Sequence, residues 1–150
     1  MTRLRADDGQ VTLLVLVYTL IALSFMAVSV DATAVHLART QLLDAADAAA
    51  LDAADAVDEK AVYDGGVSDD LPITDSAVRE AALNYLSSYD PPSRLSELDL
   101  GPGTGSPDGT GATVELTGLV RLPIAASVVA AFRGGIRVTV TSTARTTLAP

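Results

Sequence analysis

Hydrophobic and polar positions run through three regimes along this chain. From Val11 to Val30 the sequence VTLLVLVYTLIALSFMAVSV is apolar and carries no charge, Gly or Pro. Twelve of its twenty residues are Leu, Ile, Val or Phe. As an α-helix, this length rises about 30 Å, the thickness of a bilayer's hydrocarbon core. At about −0.3 to −0.6 kcal/mol per large aliphatic or Phe side chain, insertion gains on the order of −4 to −7 kcal/mol. Thr12, Thr19, Ser24 and Ser29 can bond back onto their own helix, which keeps their penalty small. The stretch reads as a single transmembrane helix. A buried core helix is the competing reading, but a run this long is unusual in a small domain.

The second regime has helical period. From Asp31 to Lys60 there is no Gly or Pro, and Ala is abundant, a composition that favours helix. On a helical wheel, Asp44, Asp47, Asp52, Asp55, Asp58 and Glu59 occupy an arc of roughly 140°. Val35, Leu42, Leu43, Ala46, Ala50, Ala53, Ala54 and Val57 lie opposite, and Leu51 intrudes on the acidic arc. The expectation is one continuous helix, membrane-spanning over 11–30 and amphipathic over 31–62, whose apolar stripe covers another element. Gly65-Gly66, Asp69-Asp70 and Pro72 then signal a stop. A second helix is expected from Thr74 or Asp75, either of which can cap it, with Val78, Ala82, Tyr85 and Leu86 on one side and Pro91-Pro92 after it.

The third regime alternates. Leu98 to Gly111 holds five glycines and two prolines and is expected to be a loop. In Ala112–Leu122, the residues Val114, Leu116, Val120 and Leu122 alternate with polar neighbours. Ile136–Arg145 does the same through Ile136, Val138, Val140 and Ala144. Both patterns predict half-buried strands. Between them Pro123 opens and Gly134-Gly135 closes an apolar segment, IAASVVAAF, expected to form a short helix. Two strands are marginal alone in water, so the 31–62 helix is the expected cover. The fold class is α+β: residues 1–10 a leader, 11–30 a transmembrane helix, 31–62 its extension, and 63–150 a small antiparallel β head with a Gly/Pro loop over 98–111.

Composition and charge narrow the function. Hydrophobic residues make up 49% of the chain, but aromatics only 4%; Ala supplies much of the difference and builds thin, closely packed helices. With no Cys, neither a disulfide framework nor a thiolate metal site can be built. The formal net charge is −9. Arg3 and Arg5 offset Asp7 and Asp8, so the whole excess follows the apolar run. Such a surface disfavours nucleic acid and anionic lipid as partners. Arg3 and Arg5 precede the span and the next base is Arg39, which by the positive-inside bias places the N-terminus in the cytoplasm and the head outside the cell. A second reading of the N-terminus is a signal peptide cut at Ala32-Thr33-Ala34. Its apolar region would exceed the usual length of about 7–15 residues, and the helical composition continues past it.

Little catalytic chemistry is encoded. His36 is the only His; without a second His or any Cys, neither a zinc site nor a Cys–His pair forms. No G-x-S-x-G is present to set a Ser beside it. Asp44 to Glu59 are spaced as a helix face rather than as a Ca²⁺-wrapping loop. The glycines of 101–111 lack the Lys of a phosphate loop. No cofactor and no metal are expected.

Gly9-Gln10-Val11-Thr12, the single apolar segment, Asp31, and the run HLARTQLLDAADAAALDAA over 36–54 together resemble the N-terminal region of the TadE/TadG-like proteins of the tight-adherence (Flp) pilus, the TadG-related type in particular. The run IRVTVTSTAR over 136–145 is similar to the strand that closes many of them. The resemblance implies a non-enzymatic pseudopilin or minor pilin, anchored in the lipid bilayer, that assembles with other pilus proteins as a homo- or hetero-oligomer. It also implies a processing site after Gly9, before Gln10; the fifth residue beyond it is Leu14, where processed pilins of this type carry Glu. Thr12, Thr19, Ala22 and Ser29 form an approximate a/d seam on which a neighbouring helix could pack; lipid-facing residues would look the same. The alternative function is a secreted or membrane-anchored binding domain with a signal-peptide-like N-terminus and no pilus.

Overall fold

The computed structural model describes residues 7–65, 73–128 and 134–145. Along the chain lie α1 (Asp7–Gly65), α2 (Asp75–Ser88), β1 (Leu95–Leu100), β2 (Gly111–Val120), α3 (Ala125–Val128) and β3 (Ile136–Arg145). The strands form one antiparallel sheet in the order β1-β2-β3. This is the expected α+β class: a long N-terminal helix, short helices and a small antiparallel sheet. Arg3, Arg5, the turn residues 66–72 and the apolar residues 129–132 lie outside the described residues.

Helix α1 is unbroken over 59 residues, about 90 Å at 1.5 Å per residue. It begins at Asp7, upstream of the expected Val11, so Gly9 and Gln10 lie within it. Its first half is bare, while its second half carries the core. Ala34, Ala38, Leu42, Ala46, Ala50 and Ala54 are all buried, and so are Ala45, Ala49 and Ala53 between them. These are two neighbouring ridges of four-residue spacing. Ala-lined ridges let the helix axis approach the sheet closely, and i±4 ridges run obliquely to that axis.

The oblique course corrects the expected stripe. A stripe of fixed angle included Leu43 and left out Ala45 and Ala49. Leu43 is instead 38% exposed, whereas Ala45 and Ala49 are buried. Leu43 shares the next ridge with Arg39, Asp47, Leu51 and Asp55, all exposed. The intrusion of Leu51 on the acidic side follows from the same winding. Asp44 and Asp52 are exposed as expected; the side chains of Val57, Asp58 and Glu59 lie outside those described.

Thr74 caps α2, its Oγ1 accepting from the Ala77 amide at 3.3 Å. Val78 and Ala82 enter the core, and Tyr85 stacks on Tyr89 with ring centroids 6.1 Å apart. Burial, and after it the proximity of Tyr85, Asp44 and Asp90, pushes the Tyr89 hydroxyl above its ordinary range.

The sheet departs from expectation on one side. Residues 98–100 were expected to open a loop, yet Leu95–Leu100 is a strand paired with β2. Its sequence, LSELDL, spaces its leucines three and then two apart, which hides the period-two signal. A bulge between Ser96 and Asp99 absorbs the extra residue, with Glu97 in the left-handed region at φ 52°. Leu98 and Leu100 thereby return to the core side, where they pack beside Leu95. The irregular segment starts at Gly101, and even there Gly105 bridges to Thr113. Strand β2 pairs with β3 in unbroken register from Gly111↔Arg145 to Val120↔Ile136. Its core face carries Ala112, Val114, Leu116 and Val120. The opposite face carries cross-strand threonine pairs, Thr113 with Thr143 at 3.0 Å and Thr117 with Thr139 at 2.9 Å.

Candidate assembly surface and its attachment to the head

The segment with functional potential is the part of α1 that the head leaves uncovered. From Val11 to Val30 every residue is exposed except half-buried Ala27, and Leu13, Leu16, Leu20, Phe25 and Met26 each expose more than half of their surface. It is the one helix among the described residues that is long and apolar enough to cross a membrane. Its hydroxyls turn inward to their own backbone, as expected. Thr19 donates to the Val15 carbonyl at 2.8 Å, Ser24 to Leu20 at 2.8 Å and Ser29 to Phe25 at 2.9 Å. The outward face is thus left apolar in chemistry as well as composition.

Thr12, Thr19, Ala22 and Ser29 are all exposed on this rod, within an arc of about 100°. Gly9 and Gln10 are exposed as well. A methyl group added at Gly9 would meet nothing within 4 Å, so no packing contact requires glycine there. Asp44, Asp47, Asp52 and Asp55 remain solvated on the second half. Among the described residues, no group of three His, Cys, Asp or Glu side chains is placed to hold a metal ion.

Where the bare rod ends, Asp31 ties it to the head. This carboxylate is 9% exposed and accepts two backbone hydrogen bonds, from the Ile124 amide at 2.9 Å and the Ala125 amide at 2.8 Å. Those amides open α3, and negative charge is favoured at a helix start. Sequence reasoning placed Asp31 after the apolar run without giving it a role. One signal was present: the residues before α3, Leu122-Pro123-Ile124, contain no Ser, Thr, Asp or Asn to cap it, which leaves its first amides to water or to an acceptor from elsewhere in the chain.

Beside Asp31, a groove of about 340 Å³ is lined by Met26, Ser29, Val30, Thr33, Ala34 and Leu37 of α1 and by Arg94. Arg94 precedes β1 and is fixed there by its carbonyl, which accepts from the Arg121 amide at 3.0 Å. Sequence reasoning did not find Arg94, because nothing local marks a residue that reaches a helix some sixty positions earlier.

The bare rod, Asp31 and the Ala ridges together make up most of α1. Residues 9–56 match the family model described as putative Flp pilus-assembly TadE/G-like. This segment is TadE/G-like. The match spans both the exposed rod and the buried ridges, the same stretch on which the sequence resemblance rests. No curated protein and no solved structure matches the chain. The TadE/G-like segment supports a role in pilus assembly and, with it, contact with other pilus proteins. Its apolar N-terminal half fits a membrane anchor.

Proposed function

We propose that this protein is a non-enzymatic, membrane-anchored pseudopilin or minor pilin of a Tad/Flp-type pilus or related secretion apparatus. The observation that carries this reading is the division of one continuous helix. Residues 11–30 are uncovered and apolar, while residues 34–54 of the same helix are packed under a folded head. An uncovered apolar surface of this size is unstable in water and marks a membrane or protein contact. In the bilayer, residues 11–30 sit among acyl chains, with the N-terminus cytoplasmic and the head outside the cell. In a pilus the seam of Thr12, Thr19, Ala22 and Ser29 faces a neighbouring helix, since small side chains let helices approach closely.

Asp31 and Ala34 weigh against the secreted alternative. A signal peptidase cut after Ala34 would remove the carboxylate that holds Ile124 and Ala125, together with a buried core residue.

The test is N-terminal sequencing of the mature protein taken from carbonate-washed membranes. A start at Met1 or Thr2 indicates a retained anchor, and one at Gln10 indicates prepilin-type processing after Gly9. Both are outcomes of the pilin reading. A start near Val35, or full-length protein recovered from the soluble fraction, refutes it.

A further inference from the structure

We infer that the groove between α1 and Arg94 binds an anionic phospholipid, with the guanidinium on its phosphate and the apolar wall along its acyl chain. The inference rests on the anchored reading above and adds a ligand to it.

Depth is the first argument. If Val11–Val30 spans the hydrocarbon core, the headgroup layer occupies about the next 5–8 Å. At 1.5 Å per residue this layer covers roughly residues 31–35 of α1. The groove straddles that boundary. Met26 and Val30, which are 65% and 44% exposed, belong to the last turns of the apolar run. Thr33, Ala34 and Leu37 lie at and just beyond headgroup level, and Arg94 closes the groove beside them.

Charge is the second. Over the described residues, the side chains of Arg94 and Arg121 have neither an ion pair nor a hydrogen bond. By contrast, Arg137 pairs with Glu97, Arg145 with Asp108, and Arg79 donates to the Thr104 carbonyl. Arg39 of α1 is exposed and unpaired too, but Arg94 and Arg121 are the two joined through their backbones beside the groove, on a chain of net charge −9. A phosphate at this level complements them, and guanidinium is well suited to phosphate geometry.

The wall is the third. Thr33, the polar side chain nearest the headgroup end, is already bonded to the Ser29 carbonyl at 2.8 Å, and Ser29 to Phe25. The wall therefore presents an apolar surface to whatever fills the groove, and its one unpaired charge is cationic. That pairing matches an anionic lipid better than a second apolar helix, which would bring Arg94 no counter-charge.

The chain has no Trp, so a single introduced Trp reports cleanly. Leu37→Trp places the reporter in the groove wall and Leu20→Trp places one in the span; both parent residues are more than half exposed. Each full-length variant is reconstituted in phosphatidylcholine vesicles containing equal fractions of brominated phosphatidylglycerol or brominated phosphatidylcholine. The Leu20→Trp signal is expected to be quenched equally by the two lipids. The Leu37→Trp signal is expected to prefer phosphatidylglycerol by about fivefold in relative association constant, a size typical of one arginine at an anionic surface. Arg94→Gln should abolish that preference, and Arg145→Gln should leave it intact.

Equal quenching at position 37, or a preference that survives Arg94→Gln, overturns the lipid site while the anchor stands. Shielding of position 37 from both lipids, with the span quenched, shows that protein fills the groove and also overturns the site. Failure to quench Leu20→Trp overturns the anchor and the site together.

Discussion

Gly118 shows how much one missing methyl group decides. It lies opposite the β1 bulge, on the core face of β2. A Cβ there would come within 2.7 Å of Leu95 Cδ1, 3.2 Å of Leu98 Cδ2 and 3.4 Å of Leu42 Cδ1. Three leucines, two from β1 and one from α1, therefore converge on the space that glycine leaves. The contacting atoms are side-chain ends, so they can shift, but only into a packed interior. Gly118→Ala should lower stability by about 1–3 kcal/mol through overpacking, and Gly118→Val by more. Gly9→Ala, where the added methyl meets nothing, is the control. Thermal unfolding in detergent checks the contrast; an unchanged midpoint for Gly118→Ala would show that the leucines do not depend on this gap. In the sequence Gly118 interrupts an otherwise regular alternation, and its neighbours come from segments 23 and 76 positions away. Its role could not be read locally.

At the scale of elements, what could be read was set by how regular each period is. α1, β2 and β3 are periodic over ten residues or more, and the pattern located them to within a few positions. β1 was missed because its bulge converts a spacing of three into a spacing of two, and only the finished sheet shows that. The covering face of α1 was found in kind but not in course, since a wheel assumes a straight stripe and the packing follows an inclined ridge. The ridges make a prediction that a straight stripe does not. Ala50 is fully buried, so Ala50→Asp leaves an uncompensated charge in the core, at a cost of about 3–5 kcal/mol. Leu43→Asp lies on the exposed ridge and should change stability by less than about 0.5 kcal/mol. A straight stripe requires both to be severe. Chemical denaturation of the two variants in the same detergent distinguishes the geometries; equal losses would favour the straight stripe.

For the whole molecule, the question is how a bare rod and a folded head become one body. The family match ends at residue 56, before the sheet begins, so the matched segment contains the bare rod and the cover but nothing for the cover to rest on. The head supplies that, and Asp31 is the point where the two meet, at the end of the bare rod. Its carboxylate satisfies two amides of a four-residue helix that has no cap of its own. Removing it leaves those donors with water or with nothing, at about 1–3 kcal/mol for a buried group left unpaired. The effect should be local. β2 and β3 are joined by their own ladder and by the Ala ridges, neither of which Asp31 touches. In Asp31→Ala, hydrogen exchange at the Ile124 and Ala125 amides should accelerate by at least about tenfold, the factor that 1.4 kcal/mol represents, while Val114 and Leu116 keep their protection. Asp31→Asn retains one oxygen acceptor and should fall between. Unchanged exchange at Ile124 and Ala125 would mean that the rod and the base of the head are held together without this residue. Exchange that rises throughout the sheet would mean instead that Asp31 supports the fold as a whole, and that the junction is not a separable part of it.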